Sequence, residues 1–471
     1  MSFGVSGQRS AGLLPVIALA LGLLVVVAMA LAVPSVAPGN DVPSVGAATA
    51  APSSSAGLAI RPAAQPASAI QFDGPSFGTD PPARPTVEKP QSKLWFHAGS
   101  WWAAMLSDGK FTVHQLDESG HRWVDTGTII DARPFAHLDA LPVDDKVYIV
   151  GAGPVPYASH QARLTRLSFD AKAHRYTVDS GFPVDLSDHG MISAVIARDG
   201  AGWLWLVAVI DGKLRVAHTE GDDRKWSVPR AIQVPGADRA SNEAAIIAVG
   251  GEVHVMWSTD EEDAVFLATH RDGDPADDWV AASAVVEGVR QADDHMNLKA
   301  AQFPDGWHIY AMLKTSLDDA PRANPLDAQL QLLEVLPDGS TRKHLVGRVR
   351  DRQSRAIILI DSDARRLYVA MTYPFTGGRI YMKSTSLDRV SFPSGRGDLL
   401  IGSDAAPKVN DPTSTKQNLT AETGLVVVAA DETAGRYATA ILPLDGGGKE
   451  GATSASPSTA SGRVPSASPV Q

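Results

Sequence analysis

A turn followed by an aromatic or β-branched run recurs seven times in this chain, and that recurrence constrains the fold more than any other feature. The copies are Gly99-Ser100-Trp101-Trp102, Asp145-Lys146-Val147-Tyr148, Gly202-Trp203-Leu204-Trp205, Gly251-Glu252-Val253-His254, Gly306-Trp307-His308-Ile309-Tyr310, Arg366-Leu367-Tyr368-Val369 and Gly424-Leu425-Val426-Val427. Their turn positions (99, 145, 202, 251, 306, 365 and 424) lie 46 to 59 residues apart. The runs alternate apolar and polar residues between Gly and Asp turns, and long helical periodicity is hard to find. That texture belongs to half-buried strands rather than to amphipathic helices. A blade of four short strands takes roughly 40–50 residues, so the period fits blades with some long loops.

The units fill in accordingly. The first offers runs at 94–97, 101–106, 111–116 and 123–130, and the third at 192–197, 203–209, 214–218 and after Trp226. Second hairpin turns recur at Asp108-Gly109-Lys110 and Asp211-Gly212-Lys213. The pattern predicts an all-β chain whose residues 88–444 form a single β-propeller of seven blades, with six as the alternative. The alternative arises because the last unit supplies only three runs, 416–420, 425–429 and 437–442. A seventh blade therefore needs a strand from before Lys93, and the island Ala69-Ile70-Gln71-Phe72 is the candidate. Closing the ring pairs edges that would otherwise template aggregation.

The flanks are of different composition. Residues 11–33 are free of charge and rich in Leu, Val and Ala, and Arg9 is the only charge among the first forty residues. The run is long enough to span a bilayer, which takes about 20 apolar residues. It reads as a retained single-pass anchor, with the membrane as its partner and the propeller outside the cytoplasm. The alternative is a signal peptide cleaved at a small-residue site such as Ala28-Met29-Ala30, which yields a secreted protein. Residues 34–87 read as a disordered linker of Ala, Pro, Ser and Gly, and 445–471 as a disordered tail. The net charge of −11 argues against a nucleic-acid partner, which needs a basic face. The absence of cysteine excludes disulfides, thiolate metal sites and a Cys nucleophile.

The segments preceding each turn are polar, although a blade's first strand lines the central channel. They carry Arg133 and His137; Asp188 and His189; Asn242 and Glu243; Asp293, Asp294, His295, Asn297 and Lys299; Arg352, Ser354 and Arg355; and Lys416 and Asn418. Charged side chains are costly to bury unless paired or facing water. The set Arg133, His137, Asp188, His189, Asp293, Asp294, His295, Asn297, Lys299, Arg355, Lys416 and Asn418 is therefore the candidate ligand site. Local turn hydrogen bonds are the competing reading. Inter-blade hydrogen bonding is a further one for Asn297 and Arg355. Cations beside acceptors suit a glycan or a small anionic ligand such as an acidic sugar. Trp101, Trp102 and Trp307 offer stacking faces, against the competing reading of inter-blade core. No cofactor is expected. Asp293-Asp294-His295 makes a channel Ca²⁺ a minor alternative, because neighbours on one strand point to opposite faces.

With polar inner strands and aromatic-led repeats, residues 90–444 resemble the sialidase-like β-propellers of exported bacterial proteins. The resemblance implies Asp-boxes, Ser-Xaa-Asp-Xaa-Gly-Xaa-Xaa-Trp, between third and fourth strands. The segments ending at Trp123, Trp226 and Trp279 stand in that place without completing the pattern. It also implies an arginine triad, toward which Arg133 and Arg355 are available, and no catalytic role is carried over. Three functional readings follow. The first is a binding propeller displayed outside the cell. The second is a glycoside hydrolase or lyase working in the same funnel, and the third an extracellular scaffold for a cell-surface protein. Hydrolysis needs carboxyls about 5 or 6.5–9.5 Å apart, for which Asp294 with Asp188, Asp293 or Glu243 is the candidate pair.

Overall fold

A computed structural model describes residues 69–79, 84–153, 162–187, 191, 193–240, 243–259, 263–402 and 408–445. The apolar run 11–33, most of the linker 34–87, the tail beyond 445, and Asp188 and His189 lie outside the described residues. Among the described residues, no helix is long and apolar enough to cross a membrane.

Seven antiparallel sheets account for the repeats. In the first six, chain order is spatial order from the inner to the outer strand. The first blade is typical, with Leu94–His97, Ser100–Ser107, Lys110–Asp117 and Arg122–Asp131. The innermost strands of the next five blades are His137–Val143, Ala194–Arg198, Ala244–Val249, Met296–Phe303 and Ser354–Asp361. Each packs against the inner strand of the next blade. In the second blade the outer strand is split, with Arg175–Val178 and Val184–Ser187 both pairing with Ala162–Asp170. The hairpins follow turn chemistry. Asp108 and Gly109 adopt φ of 48° and 74°, and Asp211 and Gly212 φ of 52° and 68°. Two successive positive φ values give the turn whose twist matches the strands it joins.

The seventh blade is composite. Val409–Thr413, Leu425–Asp431 and Arg436–Leu442 come from the C-terminal end, and Ile70–Ser76 supplies the outer strand. Ile70 faces Ile441 and Ser76 faces Arg436 across the pair. The N-terminal island thus closes the ring at seven blades, not six. The boundary at residue 88 moves accordingly: this part of the linker composition holds a blade strand. The inner strand of this blade also lies earlier than residues 416–420. Asp411, at φ 50°, and Pro412 interrupt the ladder there. Residues 414–419 instead cross the channel edge and touch two other inner strands, through bridges from Thr415 to Leu94 and from Leu419 to Asp361.

Six hydrophobic clusters sit between the blades. Trp95, Trp102 and Phe111 of blade one pack with Leu138, Val147 and Ile149 of blade two. A larger cluster joins blades six, seven and one through Tyr368, Val427, Tyr437 and Trp101. Trp101 and Trp102 are fully buried, so both belong to the core rather than to a ligand surface. Burying one such indole removes about 150–250 Å² from water, roughly 4–6 kcal/mol of gross transfer free energy.

One segment positions the site. After the closing strand the chain must travel from the rim of blade seven to the axis, and residues 84–93 make that crossing. Residues 85–93 are all buried and lack regular secondary structure. Buried backbone needs partners, and the inner strands supply them. Ser92 N donates to Asp139 Oδ1 (2.8 Å), Ala140 N to Ser92 O (2.8 Å), and Asn297 Nδ2 to Lys89 O (2.6 Å). Gln91 Nε2 donates to Ala194 O at 3.0 Å. The segment plugs the half of the channel at the N-terminal ends of the inner strands.

Candidate functional site

The plug divides the residues singled out in the sequence. At the N-terminal ends of the inner strands it carries its own charges into a buried network. Asp411 accepts Arg84 Nη2 at 2.9 Å and pairs with Arg355 Nε at 3.1 Å and Lys89 Nζ at 3.5 Å. Burial pushes the Asp411 carboxyl up, but Lys89, Arg84 and Arg355 outweigh it and hold it below the usual range. His137 Nδ1 lies 3.1 Å from Glu88 Oε1, and Glu88 shares a hydrogen bond with Glu243. Burial, together with the Glu88 charge, raises the Glu243 carboxyl well above the carboxylate range. Two buried carboxyls in hydrogen-bond contact share a proton and titrate as a pair. His137 and Arg355 are thus engaged by the chain's own carboxylates, inside the channel where a ligand was expected.

Asp293, Asp294 and His295 converge. The sequence reading put neighbours on opposite faces of a strand, but the strand begins only at Met296, and a bend precedes it. Asp293 Oδ1 lies 2.6 Å from His295 Nδ1, and Asp294 reaches the same nitrogen. Lys314 Nζ pairs with Asp293 Oδ2. Burial pushes Asp293 up, but the hydrogen bond from His295 and the Lys314 charge hold it far below its usual range. One donor atom from each of Asp293, Asp294 and His295 lies within 4.8 Å of the others, close enough to hold a cation. The Lys314 ammonium already supplies a positive charge there.

Alternation does hold inside the strand. Met296, Leu298 and Ala300 join the cluster between blades four and five, which leaves Asn297 and Lys299 on the channel face. Asn297 is a stitch: Nδ2 holds the plug and Oδ1 accepts Ile358 N of the next blade at 3.0 Å. Asp139 repeats the device, taking Ser92 N and, at 2.8 Å, Ile196 N. Arg133 is buried away from the channel, bound to Asp131 and donating to Gly151 O at 3.1 Å.

Beyond the plug the channel opens into a funnel of about 350 Å³ at the C-terminal ends of the inner strands. Pro90 and Ser92 of the plug form its floor, and Arg198, Lys299, Trp307, Lys416 and Asn418 stand in its wall. Lys299 donates to Thr415 O, and burial, with the neighbouring Lys416 charge, pushes its amine down to about 7. Lys416 Nζ lies 3.0 Å from the fully buried Asp139 carboxylate. Asn418 Nδ2 donates to Ala300 O at 3.1 Å. Arg198 is exposed and has no ion-pair partner among the described residues. No Asp or Glu lines the funnel among the described residues. The lining offers positive charge, amide groups and one half-buried indole.

Of the candidate residues, Lys299, Lys416, Asn297 and Asn418 share the funnel. His137 and Arg355 join the plug network, and Asp293, Asp294 and His295 form their own cluster. Arg198, Asp139, Glu88, Lys89 and Asp411 were missed. A charge inside Leu138-Asp139-Ala140 was a readable signal, as were Glu88 and Lys89 at the end of a charge-poor stretch. Arg198, at a strand end, gave none.

No family model matches the chain, and no curated protein matches it in sequence. Solved structures with a similar fold include the polysaccharide lyase Uly1, 10% identical with a TM-score of 0.46, the match covering 80% of this chain and 98% of that one. The periplasmic gluconolactonase of Pseudomonas aeruginosa is 13% identical with a TM-score of 0.45, covering 75% and 96%. A Trypanosoma rangeli sialidase in complex with the inhibitor DANA is 14% identical with a TM-score of 0.40, covering 62% of this chain and about half, 52%, of that one. The class is a seven-bladed β-propeller, and a sialidase is among the propellers it resembles. Propellers host unrelated activities, so the shared fold leaves function to the site.

Proposed function

We propose that the chain is a binding propeller whose funnel takes an anionic, hydroxyl-bearing ligand of the acidic-sugar type. One observation carries this reading: Arg198, Lys299 and Lys416 surround one open volume whose lining holds no carboxylate among the described residues. A carboxylate entering there meets Arg198, which has a planar fork of donors. It also restores to Lys299 the proton that burial disfavours. Asn418 and Gln417 suit hydroxyls, and Trp307 offers an apolar face. The wall argues against hydrolysis by two carboxylates at this place, because Asp293 and Asp294 are tied to His295 and Glu243 to Glu88. We further propose that the propeller is exported, on the strength of residues 11–33.

The test is calorimetric titration with a panel of oligouronates and their neutral counterparts, on the wild type and on Arg198→Ala/Lys416→Ala. Binding of the acidic members only, lost in the double variant, supports the reading. Equal binding of neutral sugars, or binding unchanged in the double variant, removes it.

A further inference from the structure

A second cavity of about 350 Å³ opens between blades five and six, at the N-terminal ends of their inner strands. Five polar atoms of its lining are buried without a hydrogen-bond partner. Asp318 Oδ1 and Arg355 Nε stand in ion pairs with Lys314 and Asp411, which leaves His295 Nε2, Gln329 Oε1 and Gln353 Oε1 with neither. The glutamines are 2% and 1% exposed. Gln353 Nε2 donates to Arg396 O at 2.9 Å and Gln329 Nε2 to Thr315 O at 3.4 Å. These bonds fix both amides, so flipping either side chain would put an oxygen against a carbonyl. Buried polar atoms are nearly always paired in folded proteins. Two fixed, unpaired amide oxygens on residues that line one cavity therefore leave room for donors from outside the chain. His295 presents Nε2 because Asp293 and Asp294 face Nδ1.

The rim supplies the complementary half. The Arg352 side chain is exposed, has no carboxylate partner among the described residues, and lies 5.5 Å from the centroid of the Phe375 ring. Phe375 is 39% exposed, an apolar platform at the mouth. Amide oxygens take hydroxyl protons, a guanidinium takes a carboxylate, and an aromatic face takes the C–H face of a sugar ring. The volume lies at the small end of the ~300–1,000 Å³ usual for ligand pockets. We infer that this cavity is a second binding site, independent of the funnel, for a single sugar residue bearing a carboxylate. Its hydroxyls donate to Gln329 and Gln353, and its carboxylate meets Arg352.

The test is isothermal titration of the full-length chain carrying Arg198→Ala/Lys416→Ala, which silences the funnel. D-glucuronate and D-galacturonate are the probes, with D-glucose as the neutral control. One uronate binds at one site per chain, and glucose binds at least tenfold more weakly. Arg352→Ala, a change at an exposed side chain, weakens uronate binding at least tenfold while the melting temperature holds. Gln353→Met weakens it likewise. Failure of both uronates to bind overturns the inference, as does binding that Arg352→Ala leaves unchanged. Loss of oligouronate binding in the funnel variant, with uronate binding kept, separates this site from the funnel.

Discussion

Asp411→Asn tests whether charge anchors the plug. The side chain is 2% exposed and meets Arg84 at 2.9 Å, Arg355 at 3.1 Å and Lys89 at 3.5 Å. Asparagine keeps its shape and tolerates the left-handed backbone at φ 50°, so the substitution removes the charge and one of the two acceptor oxygens. Arg84 is 46% exposed and its share is small, below about 1 kcal/mol. Lys89 is different, because its side chain is 8% exposed. Breaking a buried pair by removing one partner costs about 3–5 kcal/mol. Lys93, buried beside it without an ion pair, shows the direction: burial pushes its amine down to about 7, and Asp411 is the largest charge opposing that effect at Lys89. The amine escapes by losing its proton, so the loss shrinks as pH rises toward 10. Urea unfolding at pH 7 and pH 9.5 measures both terms, and hydrogen exchange over residues 85–93 shows whether the plug loosens first. A loss below about 1 kcal/mol at pH 7, with exchange over 85–93 unchanged, refutes the electrostatic anchoring.

Other consequences follow from the same geometry. Lys299→Met removes a desolvated amine and raises the stability of the unliganded protein by about 1–4 kcal/mol at pH 7 while abolishing oligouronate binding. The sign follows from linkage. The folded amine lies near 7 and the unfolded one at 10.5, so between them the unfolded state holds more protons and wild-type stability rises with pH. The advantage of Lys299→Met in melting temperature is therefore largest at and below pH 7 and fades toward pH 10.5. Deleting residues 1–77 removes the closing strand and bares the edge of Arg436–Leu442. Light scattering should find that protein self-associated and melting lower, and a monomer melting like the wild type would contradict the closure. Asn297→Leu cuts the bond to Lys89 O and the bond from Ile358 N, both buried. We expect a loss of about 2–6 kcal/mol in urea unfolding, at roughly 1–3 kcal/mol for each of the two polar groups left unpaired.

The blade count was legible because turns impose local chemistry. Asp108-Gly109 and Asp211-Gly212 had to form tight hairpins, and the alternation between them fixed which faces were apolar. The closing strand was legible for a related reason: Ile70-Gln71-Phe72 is an apolar island in a chain segment with nothing else to bury. What failed was irregular backbone. The residues before Met296 do not obey a strand's alternation, so the meeting of Asp293, Asp294 and His295 could not be read from a two-residue period. The inner strand of the last blade was displaced for the same reason, since Asp411 and Pro412 break its ladder. The plug was hidden more deeply. Nothing periodic marks residues 84–93, and their partners at Asp139, Asn297 and Asp411 come from three different blades. The polar inner strands were correctly seen as unusual, but part of that polarity serves the chain's own segment.

The most direct test of the account is a crystal structure of the propeller soaked with a bound oligouronate. The account predicts density in the funnel between Arg198, Lys416 and Asn418, with a carboxylate within hydrogen-bond reach of Arg198 or Lys416 and residues 84–93 in place beneath it. A ligand that displaces the plug, or that leaves the funnel empty and binds on the outer strands, would contradict it.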